Sequence, residues 1–289
     1  MEKYYSFGGI DMCIAGNDAH IHIKGKFLDK FETIRKDDAY RFDYEIVRQF
    51  KEPEGISIYS DSGQRIYKDG SNIIRYLGVV KENVENAYIR IEEMEKAFHV
   101  QMLFSTERQK ITSKVILNSL GIEHLAVKEN SVIMHASFIK YQNKAILFTA
   151  PSGVGKSTQA NLWKLLRGAE IINGDRVMIW DNNGEILACG IPYAGSSKDC
   201  KNERLELVAI VCLEKSPKTI IKHLHGISAF KRIWEGCSIC SWNKEDVEKA
   251  LIVLNKIIYQ IPIYQLCCTP DESAVTALEK ELKISKKSE

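Results

Sequence analysis

The stretch Ala145-Ile-Leu-Phe-Thr-Ala150-Pro-Ser-Gly153-Val-Gly155-Lys156-Ser157-Thr158 decides the fold of the second half of this 289-residue chain. It opens with an apolar run that suits a strand buried on both faces. Gly153 and Gly155 allow positive φ angles, so successive backbone amides can turn inward around an anion. A helix is predicted from Ser157 to Arg167, and its positive end would face the same anion. The stretch therefore predicts a strand, a phosphate-binding loop and a helix.

The end of this stretch has the sequence of a Walker A motif, Gly-Lys-Ser, with Ala150 in place of the usual first glycine. Lys156 is expected to reach the β and γ phosphates of ATP, and the Ser157 hydroxyl to bind Mg²⁺. The alternative is a glycine turn that precedes a lysine by chance, which the predicted strand and helix on either side disfavour. The expected phosphate-binding residues are Ser152, Gly153, Val154, Gly155, Lys156, Ser157 and Thr158.

Two further polar residues accompany the loop. Asp175 follows the apolar segment Glu170-Ile-Ile, nineteen residues after Lys156. A carboxylate that leaves a buried strand beside such a loop holds Mg²⁺ or activates the attacking group, whereas the alternative is a turn aspartate after Asn-Gly. His135 is predicted to end a strand that starts at Val132, and the residues alone favour a structural histidine there.

The charge and the apolar patterning exclude several classes of protein. The 40 basic and 38 acidic residues give a net charge of +2, which argues against a nucleic-acid-binding protein, since those usually carry a clear basic excess. No apolar run approaches the ~20 residues that span a bilayer, and the N-terminus lacks the pattern of a signal peptide. We expect a cytoplasmic protein with no nucleic-acid or membrane partner. The sequence does not select an oligomeric state, and a homo-oligomer stays open.

The eight cysteines are expected to be reduced thiols in a protein without a secretory signal. Cys237 and Cys240 have the two-residue gap that zinc ligands use, but no second pair at zinc-finger spacing accompanies them. Buried or idle thiols are the preferred interpretation.

Residues 1–120 predict a β-rich domain, and residues 121–289 predict an α/β domain (α+β mixed) that contains the phosphate-binding loop. In the first domain, strands are predicted at 21–24, 55–60, 87–91 and 100–104, turns at 61–63 and 68–72, and a helix over 107–120. In the second domain, strands alternate with helices. The strands are predicted at 132–134, 145–149, 170–172, 177–180, 185–189, 207–213 and 263–266. The helices are predicted at 157–167, ending at Gly168, at 245–259 with Asn243 as cap, and after Thr269, in a capping box with Pro270 at the first helical position.

The order of these features resembles the HPr kinase/phosphorylase family. The matching segments lie within roughly residues 132–198 and are Met134-His135-Ala-Ser, Ala150-Pro-Ser-Gly-Val-Gly-Lys-Ser-Thr158 and Asn173-Gly-Asp175-Arg. The chain resembles more closely the divergent kinase-like proteins found beside peptide-modification enzymes, through Gly190-Ile-Pro-Tyr-Ala-Gly-Ser-Ser-Lys198 and Cys268-Thr-Pro-Asp-Glu272. The resemblance implies a P-loop fold related to that of phosphoenolpyruvate carboxykinases, and a kinase that phosphorylates a serine of a peptide or small protein.

The resemblance also implies roles for individual residues. His135 matches the active-site histidine of the family, and Asp175 matches the base that takes the proton from the substrate serine. Lys198, and more loosely Arg204, would stabilise charge on the moving phosphoryl group. The catalytic residues expected in this way are Asp175, His135, Lys156 and Lys198, with Ser157 and Asp175 as metal ligands.

The chain departs from the family at two places. It has Gly174-Asp175 where the family has two adjacent aspartates, and Leu187-Ala-Cys where the family has an acidic metal ligand before Gly190. Fewer carboxylates imply weaker metal binding. Three functions stay open: an ATP-dependent serine kinase whose N-terminal domain helps to present the peptide, a nucleotide-binding or peptide-binding regulatory protein without catalysis, and a small-molecule kinase.

Overall fold

The computed structural model describes residues 2–16, 27–61, 63–78, 88–104, 117, 119–195 and 198–282. The chain divides into two compact units. The first unit comprises Met1–Ser6 and Ile10–Ile122, and the second comprises Phe7–Gly9 and Glu123–Glu289. Together the described residues form a mixed α/β structure with two large sheets and five α-helices.

The first unit is built on a sheet of nine described strands with the order β3-β1-β2-β4-β9-β8-β7-β6-β5. A short 3₁₀ helix, Leu28–Phe31, precedes β3. The strands are β1 (Glu2–Phe7), β2 (Ile10–Gly16), β3 (Glu32–Thr33), β4 (Tyr40–Val47), β5 (Ile56–Ser60), β6 (Gln64–Asp69), β7 (Asn72–Leu77), β8 (Ile89–Met94) and β9 (Ala97–Leu103).

In the first unit, the predicted strands follow from the alternation of buried and less buried side chains. Every second residue of β9, from Phe98 to Met102, is buried, and the ring of Phe98 stacks on Phe42 with centroids 4.3 Å apart. The strand predicted at 55–60 is β5, and the turn predicted at 68–72 joins β6 to β7. The strand predicted at 21–24 and the helix predicted over 107–120 lie outside the described residues, apart from 117, 119 and 120 of the helix.

The second unit also contains a sheet of nine described strands, together with five described helices. The strands are β10 (Ser131–Tyr141), β11 (Lys144–Thr149), β12 (Glu170–Asn173), β13 (Arg176–Asn182), β14 (Glu185–Gly190), β15 (Arg204–Lys215), β16 (Ile220–Leu224), β17 (Cys237–Ser238) and β18 (Ile263–Cys268). The helices are α1 (Ile122–Lys128), α2 (Lys156–Arg167), α3 (Gly226–Gly236), α4 (Lys244–Gln260) and α5 (Glu272–Leu282).

The consecutive strands predicted at 170–172, 177–180 and 185–189 are confirmed as β12, β13 and β14, so strands and helices alternate only in part of this half. Within the described residues, no helix separates β12, β13, β14 and β15. The segment from Asp181 to Gly184 forms a tight turn, with positive φ at Asn183 and Gly184, so β13 and β14 make an antiparallel hairpin. In the described part of this unit, β11 pairs in parallel with β15, and β15 pairs in parallel with β18.

Three local predictions also need correction. The strand predicted at 132–134 continues to Tyr141, because the residues after His135 pair with β11 and β12. The sequence did not predict α3 and β16. The last helix begins at Glu272 rather than at Pro270, because the Asp271 side chain accepts a hydrogen bond from the Ser273 amide.

Two helix ends follow the sequence closely. The Asn243 side chain accepts a hydrogen bond from the Glu245 amide and caps α4, as predicted. Helix α2 ends at Gly168 in the left-handed conformation, which costs glycine no steric penalty. Within the described part of the chain, no helix has both the length and the apolar character that crossing a bilayer requires.

Helix α2 is held on the sheet by Trp163, which is fully buried and packs edge-on against Tyr141 with ring centroids 5.1 Å apart. We predict that Trp163→Ala lowers the free energy of unfolding by about 3–5 kcal/mol, the usual cost of removing a buried aromatic ring. Leu165 lies on the same helix and is 80% exposed, so Leu165→Ala should change it by less than about 0.5 kcal/mol. Urea unfolding followed by circular dichroism measures both, and equal effects of the two substitutions would contradict this packing.

Candidate functional site

The loop between β11 and α2 has the conformation that its glycines predicted. Gly153 has a φ of 76° and Gly155 a φ of 132°, and α2 begins directly afterwards at Lys156. A Cβ atom added to either glycine would meet no other atom within 4 Å. The loop therefore faces open space, where an anion has access to backbone amides and to the positive end of α2.

The side chains of the predicted phosphate-binding residues divide into two groups. Ser152, Gly153, Ser157 and Thr158 are exposed, and Val154 and Gly155 are half-buried. Lys156 is only 8% exposed, and its Nζ donates to the carbonyl oxygens of Ala150 at 2.8 Å and Pro151 at 3.4 Å. The Lys156 side chain thus spans the loop, while Ser152, Ser157 and Thr158 are exposed on its open side.

Asp175 lies in a turn that Asn173 holds in place. Asn173 is fully buried, and its Oδ1 accepts hydrogen bonds from the amides of Asp175 at 3.0 Å and Arg176 at 3.2 Å. Its Nδ2 donates to the carbonyl oxygens of Ile191 at 3.0 Å and Tyr193 at 2.8 Å. One side chain therefore ties the turn that carries Asp175 to the segment after β14. From the sequence, Asn173 has no predicted role of its own beyond a turn signal and a place in a segment that resembles the kinase family.

His135 lies beside Asp175, with its Nε2 3.3 Å from Oδ1 of the carboxylate. It was predicted to end a strand, and this prediction is wrong, because His135 lies in the middle of β10. His135 pairs with Arg176 of β13 on one edge of β10. The next residue, Ala136, pairs with Thr149 of β11 on the other edge.

This arrangement corrects the expectation that the strand before Asp175 lies next to the strand before the loop. Strand β10 lies between β11 and β12. Two strand spacings amount to roughly 10 Å, so the backbone that carries Asp175 stands about that far from the end of β11. His135 lies in the intervening strand and bridges part of this gap.

The charges of the site act on each other across this gap. Burial lowers the pKa of Lys156, and the nearby Asp175 carboxylate opposes that change. Burial also lowers the pKa of His135; the positive charge of Lys156 lowers it further, and Asp175 opposes both. His135 is therefore neutral at pH 7 and can donate a hydrogen bond from Nε2 to Asp175.

Among the described residues, no contact links Lys198 to Lys156, His135 or Asp175. Its backbone amide donates to the Gly195 carbonyl at 3.2 Å, and its φ is 60°. Gly195 itself packs against Asp175, because a Cβ added there would lie 2.9 Å from the Asp175 Cβ. Arg204, the other loosely matched residue, has its guanidinium 5.5 Å from the centre of the Trp180 ring.

The donor set fits a weakly ligated Mg²⁺ rather than a metal held by protein alone. The described residues contain no group of three or more histidine, cysteine or acidic side chains that would enclose a metal ion. Mg²⁺ in phosphoryl-transfer sites is held by one or two side chains together with phosphate oxygens and water. The sequence predicts two such ligands, Ser157 and Asp175. The described cysteines are free thiols.

A cavity of about 190 Å³ beside His135 includes residues that the sequence reasoning missed. Thr149, Ala150 and Pro151 form one side of it, and Arg232 and Glu235 of α3 form another. The signal for α3 was present in the spacing of its buried residues Ala229 and Ile233, which is one helical turn.

Only the comparison with solved structures gives a match to a known protein. No family model matches the chain, and no curated protein matches its sequence. Among solved structures, the HPr(Ser) kinase/phosphatase from Coxiella burnetii matches with a TM-score of 0.32 and 13% identity. The match covers 53% of this chain and 97% of that chain. The likeness to the kinase/phosphatase is therefore distant and extends over about half of the chain.

The electrostatics of the site can be tested on His135 directly. We predict a pKa of the His135 imidazole below its ordinary value of 6.5. Removing the positive charge with Lys156→Met should raise this pKa, and removing the negative charge with Asp175→Asn should lower it. A pH titration of the ring protons by NMR measures all three values. A pKa above 6.5 in the unmodified protein, or no response to either substitution, would contradict the geometry.

Proposed function

We propose that this protein is an ATP-dependent phosphotransferase that moves the γ-phosphoryl group to a hydroxyl, that of a serine in a peptide or small protein. One observation carries the proposal. A loop with two glycines at positive φ follows β11, which pairs with the strand of His135; His135 contacts Asp175, and the Asp175 carboxylate acts on the pKa of Lys156. The open face of the loop and the carboxylate are the two parts that phosphoryl transfer needs.

The loop residues would bind and orient the nucleotide. The amides from Gly153 to Thr158 and the positive end of α2 offer donors to the phosphate oxygens. Lys156, now bonded to loop carbonyl oxygens, can redirect its ammonium group to the β and γ phosphates. Its charge acts strongly there because the group is buried and little water screens it.

Asp175 would act as the general base. It accepts the proton of the acceptor hydroxyl while the acceptor oxygen bonds to the γ phosphorus and the bond to the β-phosphate oxygen breaks, so that ADP leaves. Neutral His135 donates to Oδ1 of the carboxylate, and Oδ2, which lies 4.0 Å from the Arg176 Nε, would accept the proton. When bound through Ser157 and Asp175, Mg²⁺ would neutralise charge on the phosphate oxygens.

The acceptor would approach from the side of the small cavity next to His135. A volume of about 190 Å³ holds a side chain rather than a folded domain, since a water occupies about 30 Å³ in the liquid. Arg232, which is paired with Glu214 at 2.8 Å, and Glu235 place one group of each charge at this cavity. We include the first unit in the proposal as the part that helps to bind the rest of the peptide.

A regulatory protein without catalysis is the second candidate. It is favoured by the absence of a cluster of three or more acidic, histidine or cysteine side chains among the described residues, and by Leu187, Ala188 and Cys189 where an acidic ligand was expected. Such a protein would bind the nucleotide on the same loop and would not depend on Asp175.

The two candidates predict different outcomes for two substitutions. If the protein is a kinase, Asp175→Asn should lower the rate of phosphoryl transfer by about 10²–10⁴-fold, the usual contribution of a general base, and should leave nucleotide binding in place. Lys156→Ala should remove both. The measurement combines the pure protein with Mg²⁺, γ-labelled ATP and candidate peptides, and mass spectrometry detects the gain of one phosphoryl group.

Lys164→Ala is the matched control, because Lys164 is an exposed lysine on the same helix and should leave both properties unchanged. If ATP binds and no peptide is ever labelled, the kinase proposal fails and the regulatory function remains. Labelling of a small alcohol but of no peptide would assign the protein to the small-molecule kinases.

The packing of Gly195 on Asp175 gives a second test. Because an added Cβ would lie about 3 Å from the Asp175 side chain, Gly195→Ala must displace the carboxylate. We predict a lower transfer rate with unchanged affinity for ATP, since Gly195 does not touch the loop in the described contacts. Single-turnover kinetics together with equilibrium binding separates the two quantities. A variant with full activity would show that the position of Asp175 is not critical.

A further inference from the structure

The second cavity of the site lies on the other side of the phosphate-binding loop and has no assigned ligand. It has a volume of about 560 Å³ and is bounded by loop residues 153–155, by residues 213–217 and by residues 268–270. The last two segments contain the carboxyl ends of β15 and β18, which run parallel to each other and, through β15, to β11. Ligands of α/β proteins bind at such carboxyl ends of parallel strands.

The walls of this cavity suit a flat, largely apolar group. Val154, Leu213, Pro217 and Pro270 line it, and its volume lies within the range of ordinary small-molecule sites. Thr158, a predicted phosphate-binding residue, also lines it. A molecule with its phosphates on the loop would therefore extend directly into the cavity.

One polar side chain in the cavity wall has an oxygen atom without a hydrogen-bond donor, and a bound ligand can supply that donor. Gln159 lines the cavity and is 2% exposed. Its Nε2 donates to the Sγ of Cys268 at 3.4 Å, a weak acceptor. Its Oε1 is buried and has no hydrogen-bond partner. A buried carbonyl without a donor destabilises a protein, so a ligand that brings an N–H group would find an acceptor already desolvated.

We propose that this cavity binds the nucleoside part of the nucleotide, and that the Gln159 amide selects adenine. Glutamine pairs well with the edge of adenine that offers the exocyclic amine as donor and a ring nitrogen as acceptor. The amine donates to Oε1, and Nε2 turns from the Cys268 sulfur to the ring nitrogen. The inference rests on the proposed function, because the phosphates must lie on the loop for the base to reach Gln159.

The test compares three ligands by calorimetry on the full-length protein with Mg²⁺. Tripolyphosphate tests binding to the loop alone. Purine riboside triphosphate adds a ribose and a purine base that lacks the exocyclic amine, and ATP adds that amine. We expect ATP to bind most tightly and the amine to contribute about tenfold in affinity, as a hydrogen bond to a buried group does. GTP presents an acceptor in place of the amine and should bind more weakly than ATP.

Gln159→Met keeps the size of the side chain and removes the amide. It should weaken ATP binding by about tenfold and the binding of purine riboside triphosphate by a smaller factor, because the Nε2 donor to the ring nitrogen is also lost, while leaving the affinity for tripolyphosphate unchanged. Asn161→Leu makes a similar change at an exposed position of the same helix and should alter none of the three. The melting temperature of Gln159→Met without ligand should equal or exceed that of the unmodified protein, because a buried oxygen without a partner is lost.

The outcomes separate this inference from the proposed function. If Gln159→Met binds ATP as tightly as the unmodified protein, or if ATP binds no better than purine riboside triphosphate, the adenine assignment is overturned. If tripolyphosphate and ATP bind equally, the cavity does not bind the nucleoside. Failure of all three ligands to bind the unmodified protein would overturn the phosphate-binding loop itself, and the proposed function with it.

Discussion

The pairing of β10 on both of its edges is the constraint on which the site depends. One edge of this strand holds β11, so that Ala136 lies opposite Thr149 at the start of the phosphate-binding loop. On the other edge the Ala136 amide donates to the Asp175 carbonyl at 3.0 Å. The Thr149 hydroxyl also donates to the His135 carbonyl at 3.0 Å. The backbone of β10 thus fixes the end of β11 and the backbone of Asp175 at a separation of two strand spacings, roughly 10 Å.

In the proposed reaction, a phosphoryl group and an attacking hydroxyl would occupy the space between Lys156 and Asp175. Both groups are partly withdrawn from water, and charges interact more strongly where water is scarce. Two buried side chains outside the site stabilise this arrangement. The Asn173 amide holds the turn of Asp175, and Trp163 holds α2 on the sheet. The Gln159 carbonyl without a partner is a local cost that the surrounding core tolerates.

The features that the sequence predicted well are local ones. The positive φ angles of Gly153 and Gly155 follow from the residue type, and the end of α2 at Gly168 and the Asn243 cap follow from short-range chemistry. The position of β10 between β11 and β12 depends on pairing between distant segments, which no short motif encodes. For that reason the strand of His135 was predicted too short. The role of Asn173 was missed because its partners Ile191 and Tyr193 lie far along the chain.

The most direct test of a shared site is a crystal structure with Mg²⁺ and a non-hydrolysable ATP analogue. The triphosphate should lie against the amides of residues 153–158, with the terminal phosphoryl group between Lys156 and Asp175 and facing the carboxylate. An analogue bound away from this loop, or an Asp175 side chain turned away from the terminal phosphoryl group, would contradict the proposed catalysis.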